Sequence, residues 1–314
     1  MPPIIDVVDL RKRYPGAKSE AVAGVSFSVE EGEVFGLLGP NGAGKTTTIG
    51  SMTTRVKPTS GRVVVDGVDV VADPVAAKRV IAVVPQRPNL DRSLSALENL
   101  TFHGAYFGYS RRERKRRAEE MLAQFGLEGR GGDRVDNYSG GMAQRLIIAR
   151  ALMHDPRVLF LDEPTTGLDP QSRLFLWDQM EALKARGVTL LLTTHDMAEA
   201  DRLCDRIAIV DHGKVIASDT PRGLRHVLPE AEGLELRLAA AVDPGEALSG
   251  LGTSHTSEPA GDDGEWKVRI YGSDVAPSTA IAAAEQAGAR LVDFTRIEGT
   301  LEDVFVHLTG RDLR

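Results

Sequence analysis

Residues 39–47 read Gly39-Pro40-Asn41-Gly42-Ala43-Gly44-Lys45-Thr46-Thr47. Two glycines followed by Lys-Thr at this spacing describe a loop that wraps phosphate. Glycines let backbone N–H groups turn inward around an anion, and a helix starting at Lys45 aims its positive end at the same point. Lys45 then neutralises the outer phosphates and Thr46 holds Mg²⁺. The alternative, a glycine-rich turn with a surface lysine, does not account for the apolar run Val34-Phe35-Gly36-Leu37-Leu38 just before it.

Four further elements bear on what such a loop would serve. The first is Val158-Leu159-Phe160-Leu161 ending in Asp162-Glu163. Two carboxylates at the tip of a buried strand are costly without partners. Asp162 would reach the Mg²⁺ shell, through water, and Glu163 would orient and deprotonate an attacking water. The second is Ser139-Gly140-Gly141-Met142 before an amphipathic stretch. It is an ordinary capped helix or a second anion site. One nucleotide does not need two such sites from one chain; sharing between two chains would explain the duplication. The third is His195, just beyond the apolar strand Thr189–Thr193, on the ligand-binding rim of an open α/β sheet. The fourth is Gln86, also at a strand end, able to bind metal or water and relay that contact to a moving segment. Alone, either of the last two residues also fits a structural role.

The elements that must position these residues alternate strand and helix over the first two-thirds of the chain. Strands are expected at 4–10, 23–29, 34–38, 62–65, 81–84, 158–161, 189–193 and 206–210. The runs at 34–38, 158–161 and 189–193 are continuously apolar, as in central parallel strands. Gly61, Asp66-Gly67 and Asp211-His212-Gly213-Lys214 read as turns. Residues 95–152 read mainly as helix. The expectation is an α/β parallel core with an antiparallel region near its start and a helical insertion.

The character changes near Thr220-Pro221-Arg222. Beyond it, strands are expected at 234–238, 266–271 and 290–295, and helices at 244–251, 276–287 and 300–308, around a polar stretch at 253–265. If a further strand precedes the polar loop, the order becomes βαββαβ, a ferredoxin-like α+β arrangement.

Bulk properties exclude other classes. The chain has 314 residues, 42% hydrophobic and 26% charged, as in a globular protein. No apolar run approaches a membrane span, and the N-terminus Met1-Pro2-Pro3-Ile4 has no basic stretch followed by an apolar one, so no signal peptide is expected. The single cysteine, Cys204, excludes a disulfide framework or a cysteine-rich zinc site. It reads as a small core residue, and a cytosolic location fits all of this. A net charge of −7 gives no electrostatic case for nucleic acid.

In order, Tyr14, residues 39–47, Gln86, 138–142, 158–163, Gly167-Leu168-Asp169 and His195 resemble the ATP-binding cassette (ABC) family, specifically the nucleotide-binding subunit of a transporter. The resemblance covers residues 1 to about 222. It implies a P-loop NTPase nucleotide-binding domain over 1–222, with its helical subdomain at about 88–152, and an accessory α+β domain over 223–314. It implies ATP and Mg²⁺ as cofactors, with Thr46, Gln86 and Asp162 on the metal side and catalytic roles for Glu163, His195 and Gln86. Tyr14 would stack on adenine. Ser139, Gly140 and Gly141 would engage the γ-phosphate held by a second copy, and Asp169 would link the two sites across a homodimer.

Two positions depart from the family's usual Leu-Ser-Gly-Gly-Gln signature: Tyr138 replaces Leu and Met142 replaces Gln. The variant resembles drug and antibiotic exporters of the daunorubicin-resistance type. The tail Gly299-Thr300-Leu301-Glu302-Asp303-Val304-Phe305 resembles the end of the C-terminal domain in such ATPases, whose permeases are separate ABC-2-type chains. The resemblance therefore implies an ATP-hydrolysing exporter subunit, peripheral on the cytoplasmic face of the plasma membrane and attached through that permease. An importer ATPase is the alternative. A soluble, non-transport cassette fits less well: there is one cassette, and the 94 positions between Lys45 and Ser139 contain no sustained heptad. A basic run, Arg111-Arg112-Glu113-Arg114-Lys115-Arg116-Arg117, reads as a solvated helix face or as a contact to lipid headgroups or permease.

Overall fold

In the computed structural model, residues 2–228, 231–260, 264–272 and 275–310 are described. The chain divides into two compact units that meet in sequence at Pro221 and Arg222.

The first unit opens with an antiparallel sheet: β1 (Ile5–Lys12), β2 (Val22–Val29), later β4 (Ser60–Val65) and β5 (Val68–Asp69), in the order β2-β1-β4-β5. Between its strands the chain dips into the core as β3 (Val34–Leu38) and α1 (Lys45–Met52). After α2 (Pro74–Val80) and β6 (Ile81–Val84) come three helices, α3 (Ala96–Tyr106), α4 (Arg111–Gln124) and α5 (Gly140–Ala151). The chain returns as β7 (Val158–Asp162), α6 (Pro170–Ala185), β8 (Thr189–Thr194), α7 (Met197–Leu203) and the hairpin β9 (Arg206–Asp211) and β10 (Lys214–Asp219).

The core sheet runs β10-β9-β3-β8-β7-β6, all parallel except the β9–β10 hairpin. Strands β3, β7 and β8 are buried along their whole length. That is why their centres read as unbroken apolar runs: helices and the antiparallel sheet leave neither face to water. Cys204 is buried, with its sulfur over Gly36, and burial raises its thiol pKa well above the ordinary value. It packs as a small core residue, as expected.

Two expectations change in detail. Gly61 is not in a turn; it lies inside β4, opposite the register shift in β1 between Val8 and Arg11. The turn is at Asp66-Gly67, both left-handed, joining β4 to β5. Likewise His212-Gly213, left-handed at both residues, closes a hairpin whose second strand, β10, the sequence reading lacked. Its alternation of half-buried and exposed residues gives only a weak apolar signal.

The second unit begins in α8 (Pro221–Arg225) and continues as β11 (Glu232–Ala239), α9 (Gly245–Leu248), β12 (Ser254–Pro259), β13 (Glu265–Tyr271), α10 (Pro277–Gln286), β14 (Arg290–Glu298) and α11 (Leu301–Thr309). Its antiparallel sheet has the order β12-β13-β11-β14, the split βαββαβ arrangement. The extra strand is β12, and it lies within the polar stretch rather than before it. It is an edge strand with no buried residue, so its sequence carries no core pattern. Leu234, Leu236, Leu238, Val268 and Ile270 form this unit's own core with Leu248, Ala280 and Ala284. Residues 311–314 of the expected second domain lie outside the described residues.

Candidate functional site

Strand β3 delivers the chain to Gly39 at the rim of the core sheet, and α1 leaves from Lys45. Gly44 turns the loop with φ of 105°, and a Cβ there would lie 2.4 Å from the Ala21 carbonyl oxygen. No other residue fits both constraints. Lys45 is 5% exposed. Its Nζ folds back on the loop, donating to the carbonyls of Gly39 at 2.5 Å and Pro40 at 3.2 Å. Burial lowers its pKa, opposed by the carboxylates of Glu163 and Asp162. A buried ammonium held by carbonyls, with carboxylates its only anionic neighbours, is prepared to exchange those carbonyls for phosphate oxygens.

The two carboxylates have distinct settings. Asp162, the last residue of β7, is buried, and its Oδ1 accepts from Thr193 Oγ1 at 2.7 Å and Thr46 Oγ1 at 3.4 Å. Thr46 and Asp162 thus present neighbouring hard oxygen donors suited to Mg²⁺. Among the described residues no cluster of three or more His, Cys, Asp or Glu exists, so any such ion would draw its remaining ligands from phosphate and water.

Glu163 follows with φ of 50°, a conformation that costs about 1 kcal/mol in a non-glycine residue. Its N–H is held by both the carbonyl and the hydroxyl of Thr193. This turn aims the side chain, 9% exposed, back over the loop. There Oε2 accepts from Gln86 Nε2 at 2.9 Å and Thr166 Oγ1 at 3.2 Å, and lies 3.5 Å from His195 Nδ1. Oε1 lies 4.0 Å from Lys45 Nζ. Strain concentrated at one residue, with four polar neighbours converging on it, marks Glu163 as the centre of the arrangement.

A cleft of about 300 Å³ opens here, bounded by Pro40, Asn41, Gly42, Lys45, Thr47 and Glu163, with Gln86 on its wall. Tyr14 reaches it from β1's end: its hydroxyl is 3.5 Å from Thr47 Oγ1, and the ring is 41% exposed with Lys12 Nζ 5.1 Å from its centroid. Ala43 is buried beneath the loop.

Ser139, Gly140, Gly141 and Asp169 do not line this cleft. Ser139 caps α5, accepting from the Met142 N–H at 3.2 Å. Gly140 faces open space, and a side chain there would meet nothing within 4 Å. Gly141 is the reverse: a Cβ would lie 2.3 Å from Ser172 Oγ. That hydroxyl donates to Asp169 Oδ2 at 2.7 Å, while Asp169 Oδ1 accepts the Ser172 N–H and caps α6. Both bonds hold the Asp169 carboxyl below its usual range. Asp169 and the signature residues thus form a second cluster, built around the start of α6. Tyr138 ties it down by donating to the Arg130 carbonyl at 2.9 Å.

Sequence reasoning missed the groups that orient the first cluster. Thr193 bonds both Asp162 and Glu163. Glu199, fully buried in α7, accepts from Thr165 Oγ1 at 2.8 Å and Trp177 Nε1 at 3.1 Å, and burial raises its pKa. It joins the loop after Glu163 to the helix after His195. The one available signal was an acid at an apolar position of a short helix.

Comparisons with known proteins converge. The ABC transporter family profile matches residues 22–166. Nod factor export ATP-binding protein I of Rhizobium meliloti (strain 1021) is 41% identical over 312 residues, covering 99% of this chain and 89% of the relative. The doxorubicin resistance ATP-binding protein DrrA of Mycobacterium tuberculosis is 46% identical over 217 residues, 69% of this chain and 66% of that one. Among solved structures, an ATP-binding subunit of an ABC transporter superposes with a TM-score of 0.65 at 33% identity, covering 71% of this chain and 92% of its own. A dimeric post-hydrolysis state of the cassette MJ0796 bound to ADP and Pi gives 0.64 at 29%, covering 69% and 98%.

Proposed function

We propose, from the premise that this chain belongs to the ABC transporter family and is the ATP-hydrolysing subunit of an exporter, that its catalytic site is completed by a second copy of itself. The observation that carries this reading is the separation of two phosphate-competent clusters. Lys45, Glu163 and Gln86 meet around one cleft, while Ser139 and Gly140 present a bare helix start elsewhere on the same unit. Solved relatives of this unit are dimeric cassettes, which supports the same arrangement.

In the completed site, the loop amides of 39–47 and Lys45 bind the β- and γ-phosphates, and Tyr14 stacks on adenine. Mg²⁺, held by Thr46 and by Asp162 through water, with Gln86 beside it, would neutralise charge on those phosphates. Glu163 takes the proton of a water directed at the γ-phosphorus; Gln86 and Thr166 fix its carboxylate in that aim. His195 donates to a γ-phosphate oxygen. Ser139, Gly140 and Gly141 of one copy meet the γ-phosphate held by the other, and Asp169 couples the two sites. ATP closes the pair; hydrolysis and phosphate release reopen it.

No helix among the described residues is long and apolar enough to cross a membrane. The path for cargo is therefore assigned to a separate ABC-2-type permease, to which this subunit attaches at the cytoplasmic face. Relatives named for doxorubicin resistance, daunorubicin resistance and Nod factor export support amphiphilic drugs or lipid-like molecules as the cargo class. The residues beyond 222 form an accessory domain. Co-expression with the permease, followed by ATP-driven uptake of such a compound into inverted membrane vesicles, tests the reading. Uptake that needs both chains and Glu163 is the expected result. ATP-driven loss of cargo from preloaded inverted vesicles would reverse the direction and make the chain an importer subunit.

A further inference from the structure

The basic run of α4 is not one uniform face. Its C-terminal cations are neutralised within the fold. Lys115 pairs with Glu119 at 3.8 Å, Arg116 pairs with Glu120, and Arg117 pairs with Asp155 while stacking on the Tyr109 ring at 4.6 Å. The first turn differs. Arg111, Arg112 and Arg114 have no ion pair among the described residues, and Arg111 and Arg112 are exposed. They also stand at the positive end of α4, where a cation is unfavourable and an external anion is favoured.

Directly before this turn, α3 ends in two exposed aromatics. Phe102 is 55% and Tyr106 88% exposed. Their spacing of four residues places both on one side of α3. Only residues 107–110 separate Tyr106 from Arg111, and α3 and α4 pack together as a hairpin. Exposed arginines beside an amphipathic ring, Tyr106, and an apolar one, Phe102, match the boundary between lipid headgroups and acyl chains, where tyrosine sits at headgroup depth, phenylalanine reaches the acyl boundary and guanidinium groups meet phosphates. The net charge of −7 opposes any anionic partner over the chain as a whole, so attraction to an anionic surface is confined to basic patches such as this one.

We infer that the α3–α4 tip, through Arg111, Arg112, Arg114, Phe102 and Tyr106, contacts an anionic lipid surface directly. This contact is separate from attachment through a permease. Each arginine near an anionic bilayer strengthens binding about fivefold. Three such residues with two shallow rings give weak, reversible binding, enough to draw the chain to an anionic vesicle and to hold the helical hairpin against a bilayer.

The test uses the full chain without any permease. Sedimentation is measured with vesicles of phosphatidylcholine alone and of phosphatidylcholine mixed with phosphatidylglycerol. Binding to the mixed vesicles only, weakening as salt rises, is expected. Arg111→Glu/Arg112→Glu should lower that binding at least about 30-fold, and Tyr106→Ser should lower it several-fold. Both variants should keep wild-type ATP hydrolysis, which shows that they fold. Equal binding to both vesicle types, no binding to either, or a double variant that binds like the wild type would each overturn the inference. Recruitment seen only when the permease is present would assign the patch to a protein partner and overturn it as well.

Discussion

Replacing Glu163 by Gln separates two effects that the native carboxylate combines. The first is catalytic. Gln keeps the shape and can still accept from Gln86 and Thr166, but it cannot take a proton from water. Loss of a positioned general base costs about 10²- to 10⁴-fold, or roughly 3–5 kcal/mol in barrier. The second effect is on binding. Oε1 lies 4.0 Å from Lys45 Nζ, and both side chains are almost fully buried. At an effective dielectric constant near 20, a pair at this distance is worth about 4 kcal/mol. An arriving γ-phosphate must compete with that carboxylate for Lys45 and is repelled by it. Neutralising Glu163 removes both penalties, so ATP should bind more tightly, by about tenfold or more, while turnover nearly stops. Equilibrium binding of a fluorescent ATP analogue, together with phosphate release under saturating ATP and Mg²⁺, measures both on one preparation. Size-exclusion chromatography should show a dimer trapped by ATP. Near-wild-type phosphate release would remove Glu163 as the base. Weaker ATP binding would refute the competition drawn from the Lys45 distance.

Four further outcomes follow from the same geometry. Glu199→Ala should lower stability by about 2–4 kcal/mol, since it strips the partner from two buried donors, Thr165 and Trp177; an unchanged melting temperature would contradict it. Burial raises the Glu199 pKa in the folded state, so its contribution is fully favourable below the ordinary carboxyl range and is lost as pH rises through the raised value; relative to Glu199→Gln, the wild type should therefore lose stability as pH rises in calorimetry, and a difference independent of pH would reject the assignment. Met142→Gln should change the ATPase rate by less than about tenfold, roughly 1.4 kcal/mol, because Ser139 caps α5 through the Met142 backbone N–H and not its side chain. Residues 1–222 should fold alone, because the second unit has its own core; an insoluble or molten fragment by circular dichroism would show one shared core.

Much of the core sheet was legible because burial on both faces writes itself into sequence. Val34–Leu38 and 190–192 are apolar throughout and lie at the sheet centre. Strands that face water left little trace. β10 and β12 are edge strands whose side chains are mostly exposed, so their residues answer to backbone pairing rather than to a core. The same division holds at the cleft. Lys45, Thr46, Asp162 and Glu163 are near one another in the structure, and their spacing along the chain carries the chemistry they share. Thr193 and Glu199 act through geometry: a hydroxyl that holds the Asp162 carboxylate and the Glu163 N–H, and a buried acid that braces the neighbouring loop. Nothing in the residue types alone distinguishes that threonine from Thr194 beside it. The left-handed turn at Glu163, which aims its carboxylate over the loop, was likewise invisible because glutamate does not ordinarily adopt it.

The central claim is that each ATP is hydrolysed between two copies, with Lys45 supplied by one and Gly140 by the other. Lys45→Ala removes the main cation from one half of every site, and Gly140→Asp places a side chain and a negative charge where phosphate approaches bare backbone. Each homodimer should be nearly inactive. In a heterodimer of the two variants, one composite site carries both defects and the other carries neither. Phosphate release from heterodimers isolated by two different affinity tags is the measurement. Recovery to an appreciable fraction of wild-type turnover, far above either homodimer, is predicted. Heterodimers verified to contain both chains yet no more active than the parents would contradict a catalytic site shared between subunits and independently active.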